Sequence, residues 1–166
     1  MRMKKLYIKQ KVFSLGENFT VTDEYEQPRY FVEGSFLKLP KHFLIYDENH
    51  QEIGKITKKT LALLPKFFVE VDGNEMITLK KELTFLKSRY TISAQQIEIE
   101  GNWWDMNFVV YARGKTVAEI AKKWLSWGDT YEVTVLDETM ERLVLSLVIA
   151  IDRVKADEAA SSSSGT

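Results

Sequence analysis

The segment from Glu138 to Lys155 constrains this chain more than any other: Glu-Thr-Met-Glu-Arg-Leu-Val-Leu-Ser-Leu-Val-Ile-Ala-Ile-Asp-Arg-Val-Lys. It reads as one helix. Asp137 or Thr139 can cap it, acidic residues occupy its first turn, and Arg153 and Lys155 its last. Its middle, however, is apolar on every side. A helix of that kind is either buried all round or lies in a membrane. The longest apolar stretch, Leu143 to Ile151, is nine residues and contains Ser146, whereas a membrane span needs about 20 residues. The helix is therefore expected to be enclosed by the rest of the chain.

What precedes the helix supplies an enclosure. Phe19-Thr-Val-Thr-Asp23 is followed 24 residues later by Phe43-Leu-Ile-Tyr-Asp47, and after another 24 by Phe67-Phe-Val-Glu-Val-Asp72. Tyr90-Thr-Ile-Ser and Tyr131-Glu-Val-Thr-Val continue the series. Each is an aromatic residue leading a period-two apolar alternation, the mark of a strand. Several meet turns such as Asp47-Glu-Asn-His50 and Asp72-Gly73-Asn74; Asp-Gly suits the positive φ of a tight hairpin. A second strand follows each turn, and Lys11-Val-Phe-Ser-Leu-Gly-Glu-Asn-Phe19 is echoed by Lys123-Trp-Leu-Ser-Trp-Gly-Asp-Thr-Tyr131. About twelve strands are expected, near 6–12, 18–22, 29–33, 42–46, 52–58, 66–71, 75–80, 88–93, 96–100, 107–111, 116–122 and 130–135. Val117 to Trp124 also fits a helical stripe, and its place in the repeat assigns it to a strand.

Twelve antiparallel strands can close into a barrel wide enough to need filling, and closure removes the sheet edges. The fold class expected is thus mainly β: a closed antiparallel barrel of about twelve strands around a C-terminal hydrophobic helix. With 166 residues the chain suits a single domain, placed at 1–156. Residues 157–166, rich in serine, read as a flexible tail.

Little chemistry is written in the chain. Cysteine is absent, which excludes disulfides, thiolate metal sites and cysteine nucleophiles. His42 and His50 sit in no hydrolase or zinc-protease motif. The glycines at 16, 34, 54, 73, 101, 114 and 128 are dispersed rather than clustered into a phosphate loop. Glu98 and Glu100 share one face of a strand, as general acid–base work would need, but an exposed sheet face gives the same pattern. No catalytic, cofactor or metal site is assigned. A net charge of −1 and a pI near 6.2 provide no global field for nucleic acid, and nucleic acid is not an expected partner. The basic N-terminus lacks the apolar core of a secretory signal. The expected location is cytoplasmic, with peripheral contact at the membrane.

The sequence feature that points toward a ligand is a set of lysine pairs. Lys58-Lys59, Lys80-Lys81 and Lys122-Lys123 end three of the second strands at similar repeat positions, so they can gather at one end of the barrel. A polybasic rim is attracted to an anionic bilayer by about 1 kcal/mol per Lys or Arg. Trp103, Trp104, Trp124 and Trp127 are candidate interfacial anchors. The competing explanation is that strand-end lysines serve solubility and discourage edge pairing.

Five segments occur in order along the chain: Tyr7 to Ser14, Phe19 to Asp23, Tyr30-Phe-Val-Glu-Gly34, Lys122 to Tyr131, and the helix ending Ala150-Ile-Asp152. With them the order of elements resembles the LURP-one-related branch of the tubby-like superfamily, its small bacterial members in particular. The resemblance implies a barrel around a hydrophobic helix and a non-enzymatic binding or scaffold role. Tubby proteins bind phosphoinositide headgroups with this fold, but no binding motif of theirs can be matched here residue by residue. Expected partners are an anionic phospholipid or an unidentified protein. The alternatives are a structural or stress-associated protein-interaction module and, behind it, an enzyme with an unrecognised carboxylate or histidine site.

Overall fold

The computed structural model describes residues 2–9, 18–35, 40–59, 63–83, 88–125 and 128–163. Twelve strands precede one helix: β1 (Lys4–Lys9), β2 (Phe19–Asp23), β3 (Pro28–Gly34), β4 (His42–Asp47), β5 (Glu52–Lys59), β6 (Lys66–Val71), β7 (Asn74–Leu83), β8 (Ser88–Ala94), β9 (Glu98–Asn102), β10 (Asn107–Ala112), β11 (Lys115–Leu125) and β12 (Gly128–Val135). A short 3-10 turn (Glu138–Met140) leads into α1 (Glu141–Ser163). Val117 to Trp124 is strand, as its place in the repeat requires. β1 begins earlier than its apolar pattern suggests, and residues 10–12 of the expected strand lie outside the described residues.

The strands form one antiparallel sheet in the order β8-β7-β6-β5-β4-β3-β2-β1-β12-β11-β10-β9. The β1–β12 ladder, Lys4 opposite Val135 through Lys9 opposite Thr130, joins the first strand to the last. Alternation then sorts the side chains. Phe43 and Ile45, Phe67, Val69 and Val71, and Tyr131, Val133 and Val135 all point inward and are buried. Val144 through Ile151 on α1 are each 0% exposed, Ser146 included. Eight consecutive residues cover more than two helical turns, so the wall surrounds the helix on every side.

The barrel is nearly closed rather than closed. β8 and β9 are the two ends of the strand order, and no ladder joins them among the described residues. The physical reason lies in their connection. Gln96 takes a positive φ of 68° and Ile97 turns into the core, 7% exposed, which swings β9 away from β8. Gly101 (φ +117°) holds β9 tightly on β10 instead, since a Cβ there would lie 2.9 Å from the Asn107 carbonyl oxygen. Side chains cover the seam. A cleft of about 420 Å³ is lined by Ile92, Ser93, Ala94, Ile97, Glu98, Ile99 and Trp103, and Tyr90 stacks on Trp104 across it at 5.6 Å.

Polar contacts fix the helix at both ends. Asp137 caps the 3-10 turn, accepting from the Thr139 N–H (3.0 Å) and hydroxyl (2.6 Å), and the Thr139 hydroxyl is the chief cause holding its carboxyl below the usual range. Glu141, nearly buried, accepts from Lys4 Nζ at 2.8 Å and from the Tyr30 hydroxyl. Burial, followed by that hydrogen bond, pushes the Tyr30 phenol well up. Arg142 reaches Asp72 at 2.7 Å and Asp47 at 3.5 Å. The helix does not stop near Lys155. It runs on to Ser163, because Ala156, Ala159 and Ala160 favour helix and because Asp157 and Glu158 find cationic partners on the wall.

One wall residue sets how closely the helix approaches. At Gly54 on β5, a Cβ would lie 2.8 Å from Ser146 Oγ and 3.1 Å from Ile45 Cδ1. Ser146 Oγ itself has no hydrogen-bond partner, so this oxygen is tolerated rather than needed. Gly54→Ala is expected to destabilise the fold by about 1–3 kcal/mol through overpacking. Adding Ser146→Ala removes the obstructing atom and should recover most of that loss in urea denaturation. Purely additive effects of the two substitutions would contradict this contact.

Candidate basic site at one end of the barrel

Successive strands run in opposite directions, so the C-terminal ends of β5, β7 and β11 share one end of the barrel, the end at which α1 emerges. All three lysine pairs are at that end, as their spacing suggests. Strand parity then divides each pair. On β5 the inward series Ile56 continues to Lys58 and leaves Lys59 outside; on β7 Ile77 and Leu79 continue to Lys81 and leave Lys80 outside; on β11 Ala118 and Ile120 continue to Lys122 and leave Lys123 outside. Adjacent lysines in sequence therefore have opposite surroundings.

Two of the inward lysines, Lys58 and Lys81, hold the helix. Lys58 Nζ donates to both Asp157 carboxylate oxygens at 2.8 Å. Lys81 Nζ donates to both oxygens of Glu158 at 2.7 and 2.9 Å, and the Tyr90 hydroxyl donates to the same carboxylate at 3.2 Å. Burial is the first cause raising the Tyr90 phenol, and Glu158 is the second. Lys58 also lies over the Phe67 ring and Lys81 over the Tyr90 ring, at 6.0 and 5.9 Å. Lys122 sits opposite Tyr131 on β12.

The outward lysines form a row that the pair motif does not reveal. In the β5–β6 ladder Lys59 is opposite Lys66, and in the β6–β7 ladder Lys66 is opposite Lys80. Three lysines thus stand side by side across three strands, with Lys59 and Lys80 exposed. Directly opposed residues have Cβ atoms about 5 Å apart, where like charges repel. Lys66 leans over the Phe68 ring at 4.9 Å. The next row down the same face is His42, Thr57, Phe68, Thr78 and Ser93. Past the lysines, the Lys81 N–H bonds the Pro65 carbonyl at 3.0 Å, which brings Leu63 and Leu83 to the same end. These are two of the large apolar side chains left exposed, at 105% and 68%.

The remaining candidates are dispersed. Lys123 lies 3.8 Å from Glu132, which Lys5 also approaches at 3.5 Å, and β11 is separated from β7 by β8, the seam, β9 and β10. His42 Nδ1 is near Ser35 Oγ (3.1 Å) and the Pro40 carbonyl (3.0 Å), while His50 stacks on Phe31. Glu98 and Glu100 are exposed on β9. Among the described residues no three His, Asp or Glu side chains converge to hold a metal ion. Trp103 and Trp104 pack edge to face and are half-buried; the Trp124 side chain and Trp127 lie outside the described residues.

A repulsive row leaves a thermodynamic trace. Lys59→Gln/Lys80→Gln keeps Lys66 on its ring but removes both opposed contacts, each worth about 0.2–1 kcal/mol. The double variant is expected to be more stable than wild type in urea at low salt, with the gain shrinking at about 1 M salt, where charges are screened within about 3 Å. A loss of stability at low salt would show that the row is already neutralised by its surroundings.

The sequence profile described as LURP-one-related matches residues 4–152. The uncharacterized protein YxjI of Bacillus subtilis (strain 168) is 31% identical over 152 residues, covering 92% of this chain and 94% of that protein. An X-ray structure of a protein from Arabidopsis thaliana superposes with a TM-score of 0.63 at 19% identity, covering 92% of this chain and 91% of the other; at that identity the likeness speaks to the fold. The profile spans all twelve strands and most of the buried part of α1, and the Bacillus relative spans nearly the same length: the chain belongs to the LURP-one-related family.

Proposed function

We propose that this protein is a non-enzymatic binding or scaffold protein that associates peripherally with anionic phospholipid through the β5–β7 end of its barrel. The observation carrying this reading is the Lys59–Lys66–Lys80 row beside exposed Leu63 and Leu83. Opposed lysines cost folding energy and call for an external anion. Three lysines near an anionic bilayer contribute about 3 kcal/mol together. Leucines at the same end can enter the acyl boundary, adding the burial energy that charge alone does not supply. No helix is long and apolar enough to cross a membrane among the described residues, so contact through these residues would be peripheral. The half-buried Trp103 and Trp104 are engaged in ring contacts with each other and with Tyr90, which makes the leucines the better anchors.

Vesicle co-sedimentation at physiological salt tests the reading. Phosphatidylserine-containing vesicles are expected to retain the protein and pure phosphatidylcholine vesicles to release it. Lys59→Glu/Lys66→Glu/Lys80→Glu should abolish retention, and Leu63→Ser/Leu83→Ser should weaken it severalfold. Retention that survives the charge reversal would move the site elsewhere. Failure of wild type to bind any vesicle would favour a protein-interaction module instead.

A further inference from the structure

The inward lysines are already bonded to anions, and those anions belong to the chain itself. Lys58 and Lys81 each donate to both oxygens of a carboxylate on the last turns of α1, with the Tyr90 hydroxyl completing the second contact. These four carboxylate oxygens occupy positions that phosphate oxygens could take, since both are charge-assisted acceptors at about 2.7–2.9 Å. The inward pair also lies at the same strand ends as the outward row: Lys58 precedes Lys59, and Lys81 follows Lys80.

The segment carrying the carboxylates is unlike the helix before it. Up to Val154, α1 is fixed by fully buried apolar side chains. From Lys155 to Ser161 no residue is buried, and Ala156, Ala159, Ala160 and Ser161 are exposed. The Lys58 and Lys81 side chains are themselves 26% and 17% exposed, within reach of solvent at the barrel mouth. Partly exposed ion pairs are screened by salt more than buried ones, so these contacts can yield to a denser source of anionic charge.

We infer that Lys58, Lys81 and Tyr90 form a second anion-binding position that the Asp157–Glu158 segment of α1 occupies in competition with an anionic bilayer. This rests on the membrane-association reading above and adds its regulation. When the segment is displaced, two further lysines join Lys59, Lys66 and Lys80 at one end, and two carboxylates leave the approaching surface. The segment thereby sets the threshold of anionic charge at which the protein binds.

Vesicle titration of the full chain and of Asp157→Asn/Glu158→Gln tests this. The variant is expected to bind phosphatidylserine vesicles on the order of thirtyfold more tightly, the effect of two unmasked lysines. Glu98→Gln/Glu100→Gln alters net charge equally, at exposed positions on β9, and should change binding little. Hydrogen exchange on the unmodified protein supplies a second readout: vesicles should lower protection at 156–161 and leave 143–154 unchanged. Wild-type binding with no gain in Asp157→Asn/Glu158→Gln, or an equal gain in the Glu98/Glu100 control, would overturn the competition and leave the outer row standing. Absence of binding by both wild type and Asp157→Asn/Glu158→Gln would overturn both proposals.

Discussion

A helix with no polar face dictates this architecture. Val144 to Ile151 exclude water on all sides, and a single sheet can surround such a segment only by curling until its ends nearly meet. The antiparallel meander does that with short connections, and the β1–β12 ladder completes the wall next to the point where the helix begins. Charged residues of the helix meet the wall at both mouths. Glu141 and Arg142 meet Lys4, Tyr30, Asp47 and Asp72 at one mouth, and Asp157 and Glu158 meet Lys58 and Lys81 at the other. Ser146 and the Asp152–Arg153 pair lie between those ends, with Ser146 and Asp152 buried, and Gly54 is the wall residue that makes room for Ser146.

Much of this is legible in the residues because burial on one sheet face imposes strict alternation. The aromatic-led strands at Phe19, Phe43, Phe67, Tyr90 and Tyr131 announce themselves, and an apolar helix too short for a bilayer leaves few places to go. The seam between β8 and β9 is not legible: it depends on a positive φ at Gln96 and on Ile97 turning inward, and neither leaves a pattern. Nor is the end of α1. A run of alanine and serine reads as a tail until partners on other strands are known, and Lys58 and Lys81 lie 99 and 77 residues away from theirs.

The basic site shows the same division. Lysine doublets draw attention in sequence, yet the pleat separates the two members of each doublet, one inward and one to the surface, and at β5 and β7 the inward member holds the helix. Lys66, absent from every doublet, completes the row because ladder register sets it between Lys59 and Lys80. Cross-strand neighbours such as these are invisible to spacing along the chain and follow only once the hairpin registers are set. The available signal was the Asp72-Gly73 turn, which pairs β6 with β7 and brings Lys66 to Lys80 once the register shift between Val69 and Glu70 is allowed for.

The enclosed helix carries the account, so the most direct test is native-state hydrogen exchange at its amides. If the wall surrounds α1, the amides from Val144 to Ile151 can meet solvent only when the whole barrel opens. Their exchange free energies should then equal the global unfolding free energy measured in urea. Exchange of this segment well below the global value, while the β1–β12 amides keep full protection, would show that the helix leaves an intact barrel and that it is not the core around which the sheet is built.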